Sequence, residues 1–266
     1  MPRATDESYT TGNQTGGMLV PVAQVGEATI AYEERGSGFP ILLIAPGGMR
    51  SAAALWERAP WNPLDHLAEH FRVVAMDQRN AGRSVGPIRP GDGWETFRSD
   101  QLGLLDALGI DRFHYLGMCI GGSYGFGLIE AAPERVVSAV LLQPIGLDQN
   151  REAFFEIYDA WANDLRTARP EVSDEALASL REAMFGGDFL FNTSPREVEQ
   201  CRTPLLVLMG KDLHHPESIS RSVASLAPKA RLIERWKEPE HRDAAKAAVL
   251  EFLLSHTPSQ ANGRSG

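Results

Sequence analysis

The sequence predicts an α/β protein with a mostly parallel central sheet, helices on both sides and a small helical cap insertion. Three observations carry this expectation. Short runs rich in Val, Ile and Leu recur along the chain, each bounded by Gly or Pro. Helical patterns fall between them, which is the order that builds a parallel sheet covered on both faces. One region, residues 146–200, drops the alternation and holds two helical patterns with no convincing strand.

The elements follow in chain order. "ATIAYEE" alternates as a strand does and ends at the turn "RGSG". "FPILLIAPGG" is a buried-strand run stopped by Pro46, Gly47 and Gly48, and "FRVVAMDQRNAG" repeats that design. "WETFRSDQLGLLDALG" brings Phe97, Leu102, Leu105 and Leu108 near one helix face. The runs "DRFHYLGMC", "RVVSAVLLQP", "TPLLVLMG" and "ARLIERW" complete the expected strands. "YGFGLIEAAPE", "PESISRSVASLA" and "DAAKAAVLEFLLSH" supply further helices. In the insertion, "AFFEIYDAWANDL" carries an aromatic stripe that suits either a packed core or a ligand roof, and Ser173 is placed to cap the next helix. The expected organisation is a polar arm over 1–18, a core over 19–145 and 201–256, a cap over 146–200, and a loose polar tail over 257–266.

The bulk numbers narrow the function classes. A chain of 266 residues can bury a sizeable core in one domain. A net charge of −9 without like-charge blocks argues against nucleic acid or an anionic membrane as partner. No apolar run approaches the roughly 18 residues that a membrane span needs. The polar N-terminus lacks the apolar stretch of a secretory signal. With two cysteines, Cys119 and Cys201, there is no disulfide framework to read. A reducing cytoplasm is the expected compartment, and it suits a working thiol.

The stretch "GMCIGGSYG" (117–125) carries the chemistry. It contains G-x-C-x-G around Cys119 and G-x-S-x-G around Ser123, and either fits a nucleophile on a sharp strand-to-helix turn. Small residues two positions either side are needed because strand and helix backbones nearly touch there. The strand entering from Phe113 runs straight into Cys119. For Ser123 it would have to continue through three glycines, which weaken a central strand. The helix must also end before Pro133, and a start after Cys119 leaves it more room. Cys119 is the favoured nucleophile and Ser123 the alternative. The Ile120 amide, at the start of the helix, would then face developing negative charge.

The segment "LGMCIGGSYGFGLIEAAPERVVSAVLL" resembles the nucleophile-elbow segment of the α/β-hydrolases, down to the fourteen residues from Cys119 to Pro133. "ILLIAPGG", "VVAMDQRNAGRS" and "TPLLVLMGKD" are similar to three further family segments, and the resemblance runs from about Val25 to about Leu254. A cysteine in the elbow is the minority pattern best known from dienelactone hydrolases. The resemblance implies the α/β-hydrolase fold and a triad in the chain order nucleophile, acid, histidine. Cys119, Asp212 and His241 stand in that order. It assigns an oxyanion donor to Gly48, with Met49 adjacent, in partnership with Ile120. One residue separates Gly210 from Asp212 where the family commonly has two, so Asp148, one strand earlier, is the alternative acid. His214 and His215 crowd Asp212, and His215 is the alternative base. Asp212, His214 and His215 lack a fourth ligand cluster, so no metal is expected. Arg79 and Arg83 read as braces of their loop, Asn80 as a left-handed position, and Cys201 as an inert core thiol.

The expected activity is hydrolysis of a small ester, lactone or thioester through a Cys-His-Asp triad and an acyl-enzyme, with no cofactor. An acyltransferase, a carbon–carbon or carbon–oxygen lyase, or a non-catalytic binding protein with a degenerate site are the alternatives. The aromatic cap hints at a small-molecule substrate with an apolar or aromatic group. Oligomeric state is not legible.

Overall fold

The computed structural model describes residues 20–259. The expected N-terminal arm, 1–18, lies outside the described residues, as does the end of the expected tail, 260–266. Thr257, where that tail was expected to begin, caps the last helix, and its hydroxyl meets His114 Nε2 at 2.9 Å.

Eight strands form one sheet: β1 (Val22–Val25), β2 (Ala28–Arg35), β3 (Pro40–Ile44), β4 (Arg72–Met76), β5 (Phe113–Met118), β6 (Val136–Leu142), β7 (Leu205–Leu208) and β8 (Ala230–Ile233). Their order is β1-β2-β4-β3-β5-β6-β7-β8. From β4 to β8 the neighbours are parallel, while β1 and β2 add an antiparallel edge. Each expected run is a strand. β1 was not anticipated: four residues are too few to show a period, and it exists as the partner of β2 across a tight turn at Gly26, φ +56°.

The helices are α1 (Pro63–Ala68), α2 (Trp94–Ala107), α3 (Gly121–Ala131), α4 (Arg151–Ala168), α5 (Asp174–Phe185), α6 (Pro195–Gln200), α7 (Glu217–Leu226) and α8 (Pro239–His256). The sheet separates two apolar clusters. One face packs residues such as Leu42, Val74, Tyr115 and Leu141 beneath α2, α3 and the cap helices, and the other packs Ile41, Val73, Leu116 and Val140 against α1 and α8. Alternation along each strand divides the side chains this way.

The cap region contains three helices, where two were expected. The third, α6, is six residues long, and it is defined by a Ser194–Glu197 capping box and Pro195 rather than by periodicity. Ser173 caps α5, its hydroxyl accepting the Ala176 N–H at 3.1 Å. The aromatic stripe is mainly core: Tyr158 and Trp161 are buried, and the Tyr158 hydroxyl donates to the Leu177 carbonyl. The cap is tied to the core by Arg50–Asp164 at 2.7 Å. Below it, Arg79 grips Asp100 through two hydrogen bonds of 2.7 Å, and Asn80 takes a φ of +60°, as their loop position suggested. Cys201 is buried at the end of α6, and burial raises its thiol pKa.

The crossover reverses between β3 and β5: β3 connects to β4 on one side and lies beside β5 on the other. The crevice outside the carboxyl ends of these strands is where ligands bind in such sheets. The loops after β3, β5 and β7 carry the "PGGM", "MCI" and "GKDLHH" segments.

Candidate active site

β5 delivers Cys119 at its carboxyl end, and α3 begins two residues later. Cys119 sits at φ +63°, a left-handed conformation that costs free energy for any residue with a side chain. The bend is held by the Cys119 N–H on the Leu142 carbonyl at 3.0 Å and by the Gly122 and Ile145 N–H groups on its own carbonyl. A Cβ on Gly117 would lie 2.6 Å from the Gly121 carbonyl oxygen, and one on Gly121 would lie 3.1 Å from the Ile44 carbonyl oxygen. Glycine is therefore required at 117 by backbone contact, and Gly121 fits closely against the end of β3. Ser123 lies inside the first turn of α3, fully buried, with an unpartnered hydroxyl. It does not line the cavity above Cys119.

That cavity has a volume of about 300 Å³. Cys119, partly exposed, forms its floor with Ile120, and the Pro46–Gly48 turn forms one side. Phe154 and Ile157 of α4 with Phe185 of α5 close it from the cap. His214 and His215 complete the wall.

His215 is the imidazole beside Cys119. Its Nδ1 lies 2.6 Å from Asp212 Oδ1. That leaves Nε2 buried and without a hydrogen-bond partner, on a ring that shares the cavity with Cys119. Burial works against charge on either group, yet the pair overrides it. Burial raises the thiol pKa, but His215 and the backbone of Gly47 and Ile120 bring it below the ordinary thiol value. Burial lowers the imidazole pKa, but Cys119 and then Asp212 bring it above the ordinary histidine value. Asp212 is desolvated too, but His215 and Lys237, whose Nζ is 3.7 Å from Oδ2, bring its carboxyl below the usual range.

One turn after β7 builds the acid and the imidazole. Asp212 Oδ1 accepts the backbone N–H groups of His214 at 3.1 Å and His215 at 3.0 Å, besides the ring. The two residues also exchange backbone hydrogen bonds. A Cβ on Gly210 would lie 2.4 Å from the His215 carbonyl oxygen, so glycine lets this turn fold back. Pro216 then leads into α7.

The expected base, His241, is elsewhere. The segment between β8 and α8 is short, and its Trp236 is buried with Nε1 on the Met209 carbonyl at 2.8 Å. The chain therefore enters α8 at Pro239, and His241 falls in the first helical turn, its N–H on the Glu238 carbonyl. It does not line the Cys119 cavity. His215 lines it instead. Asp148 is exposed and accepts the Ser218 hydroxyl at 2.5 Å, also away from the cavity. The Ile120 backbone lies close enough to the thiol to lower its pKa. The second backbone group there is Gly47, while Gly48 lines the cavity and the Met49 side chain is buried in the core. Sequence placed Gly47 only as a strand stop, although its φ of +123° marks it as a glycine-only position. Among the described residues there is no cluster of three or more His, Cys, Asp or Glu able to hold a metal. Nor is any of the described helices long and apolar enough to cross a membrane.

Comparisons with known proteins agree with this architecture. The family model described as alpha/beta hydrolase fold matches residues 40–195, which takes in the elbow and stops short of Asp212 and His215. A protein of Azorhizobium caulinodans, provisionally named carbamate hydrolase RutD, is 38% identical over 123 residues, 46% of this chain and 44% of that one. The chain thus spans less than half the length of that relative. A protein of Mycobacterium tuberculosis, provisionally named non-heme bromoperoxidase BpoC, is 31% identical over 267 residues, covering 85% of this chain and 98% of that one. Among solved structures, the enol-lactonase from Burkholderia xenovorans LB400 superposes with a TM-score of 0.65 at 24% identity, covering 88% of this chain and 100% of that chain.

Proposed function

The chain belongs to the α/β-hydrolase family, and from that premise we propose that it is a thiol hydrolase acting on a small ester, lactone or thioester, with Cys119 as nucleophile, His215 as base and Asp212 as the acid that orients it. One observation carries this reading. A cysteine held at a left-handed elbow shares a cavity with an imidazole whose far nitrogen is bonded to a carboxylate.

The chemistry follows from the charges. The imidazole stabilises the thiolate, which attacks the substrate carbonyl. The Ile120 amide and an amide of the Gly47–Gly48 turn face the oxygen on which negative charge develops. The imidazolium gives its proton to the departing oxygen or sulfur. His215 then takes a proton from water, and the hydroxide releases the acid from the thioester. Asp212 keeps the proton on Nδ1, so that Nε2 faces the reacting atoms. The relatives named as a carbamate hydrolase and an enol-lactonase support carbonyl chemistry for this site. A degenerate binding site fits less well, because such a site would have no use for a strained cysteine facing an oriented imidazole.

The test is intact-protein mass after incubation with activated esters and lactones. An acyl adduct on the wild-type chain that is missing from Cys119→Ala supports the reading. Adducts that persist in Cys119→Ala, or no turnover and no adduct with any member of the panel, defeat it.

A further inference from the structure

We propose that this site selects carbonyl compounds whose acyl group is small, apolar and uncharged, and that Ile157 on α4 sets how long that group can be. The inference rests on Cys119 as the acyl acceptor.

Size is the first constraint. The cavity of about 300 Å³ stands at the lower end of small-molecule sites, which run from roughly 300 to 1,000 Å³. Charge is the second. Among the described residues none of those lining it is Lys, Arg, Asp or Glu. Its walls beyond the reacting groups are Ile120, Ile145, Phe154, Ile157 and Phe185, with His214 set edge-on to Phe154 at 5.5 Å. His215 Nδ1 is already engaged by Asp212 at 2.6 Å. A carboxylate on the acyl group would lose its water here and meet no free cation.

Ile157 occupies a special position in this wall. It is 39% exposed, yet it lines the cavity. The Cβ that Gly48 lacks would lie 3.6 Å from Ile157 Cγ2, so the side chain reaches across the glycine turn at the mouth. Its helix does not float: Arg50–Asp164 ties α4 to that same turn, and Phe154 stacks on Phe185 at 5.5 Å. The mouth is therefore defined by a side chain on a fixed backbone.

The experiment measures the rate of Cys119 acylation by intact-protein mass, using p-nitrophenyl acetate, butyrate, hexanoate and decanoate. The charged partner of the butyrate is mono(p-nitrophenyl) succinate. Wild type, Ile157→Ala and Ile157→Trp are compared. Butyrate should outpace the succinate by at least about tenfold. Ile157→Ala should raise the decanoate-to-butyrate ratio by about tenfold or more, and Ile157→Trp should slow butyrate while sparing acetate. Succinate reacting as fast as butyrate, or chain-length ratios unmoved in both variants, would overturn the inference while leaving Cys119 as nucleophile. Acylation by none of the esters would remove the nucleophile and this inference together.

Discussion

Asp212 and His215 stand three residues apart on one turn, joined through Oδ1 and Nδ1 at 2.6 Å. The acid and the imidazole are thus positioned by one local loop, which folds back at Gly210 and is held by Asn150 Nδ2 on the Leu213 carbonyl at 2.7 Å. Asp212→Asn should slow acylation of Cys119 by roughly 10²–10⁴-fold, because the amide can present its N–H to Nδ1 and reverse the tautomer. Stability should fall as well, by roughly 1–3 kcal/mol, since the amide nitrogen that faces Nδ1 replaces the one oxygen that accepts the two backbone N–H groups of the turn. Stopped-flow acylation and thermal melts on the same samples check both halves. A variant that melts early and acylates normally would make Asp212 a turn residue alone.

Cys119 and Ser123 make opposite predictions. Cys119→Ala should abolish acylation. Ser123→Ala should leave it within about twofold and cost little stability, because the hydroxyl it removes is buried without a partner. Ester turnover by the two variants decides it, and loss of turnover in Ser123→Ala would move the nucleophile.

Much of this site could be read before the fold was known, for reasons that differ by residue. The elbow is legible because its demands are local: Gly117 and Gly121 are small where backbones touch, and those positions lie within two residues of Cys119. The strands are legible because their apolar runs are long enough to stand out. β1 and α6 are not, being four and six residues long, although the Ser194–Glu197 pair was a readable sign of the second. The imidazole was beyond chain order, because His214, His215 and His241 all follow Asp212. What separates them is spacing: Asp followed three residues later by His, ahead of a Pro, can close a turn on itself. The cost of burying Trp236 next to β8, which draws the chain into α8 before residue 241, has no signature in a pattern of polar and apolar letters.

The pairing of Cys119 with His215 sets a pH profile for alkylation. The thiol pKa is held below its ordinary value, so reactivity toward iodoacetamide should rise with pH through a midpoint below that of a free thiol. In His215→Ala the burial that raises the thiol pKa is opposed only by the Gly47 and Ile120 backbone, so the midpoint should move up. His241→Ala should leave it in place. Rates of alkylation across pH 5–10 on the three proteins, read by mass, test the assignment, and an unmoved midpoint in His215→Ala would refute it.

His114 makes a separate prediction about stability. It is fully buried in β5, with Nδ1 2.8 Å from the Ser138 hydroxyl and Nε2 2.9 Å from that of Thr257, and with Phe39 and Phe71 edge-on to its ring. Burial first, and then the charge on His256, lowers its pKa to about 3. In the unfolded chain it titrates near 6.5. Between those values the unfolded chain binds a proton that the folded chain refuses, so stability falls as pH falls from about 6.5 towards 3. At about 1.4 kcal/mol per unit, the loss reaches about 2 kcal/mol by pH 5. His114→Asn keeps hydrogen-bonding groups in the pocket but cannot titrate there. It should be less stable than wild type at pH 7.5, and the gap should narrow by about 2 kcal/mol at pH 5. Urea unfolding at the two pH values measures this directly. All other histidines and carboxylates are common to both proteins, so parallel pH dependences would mean that His114 carries its proton inside the fold.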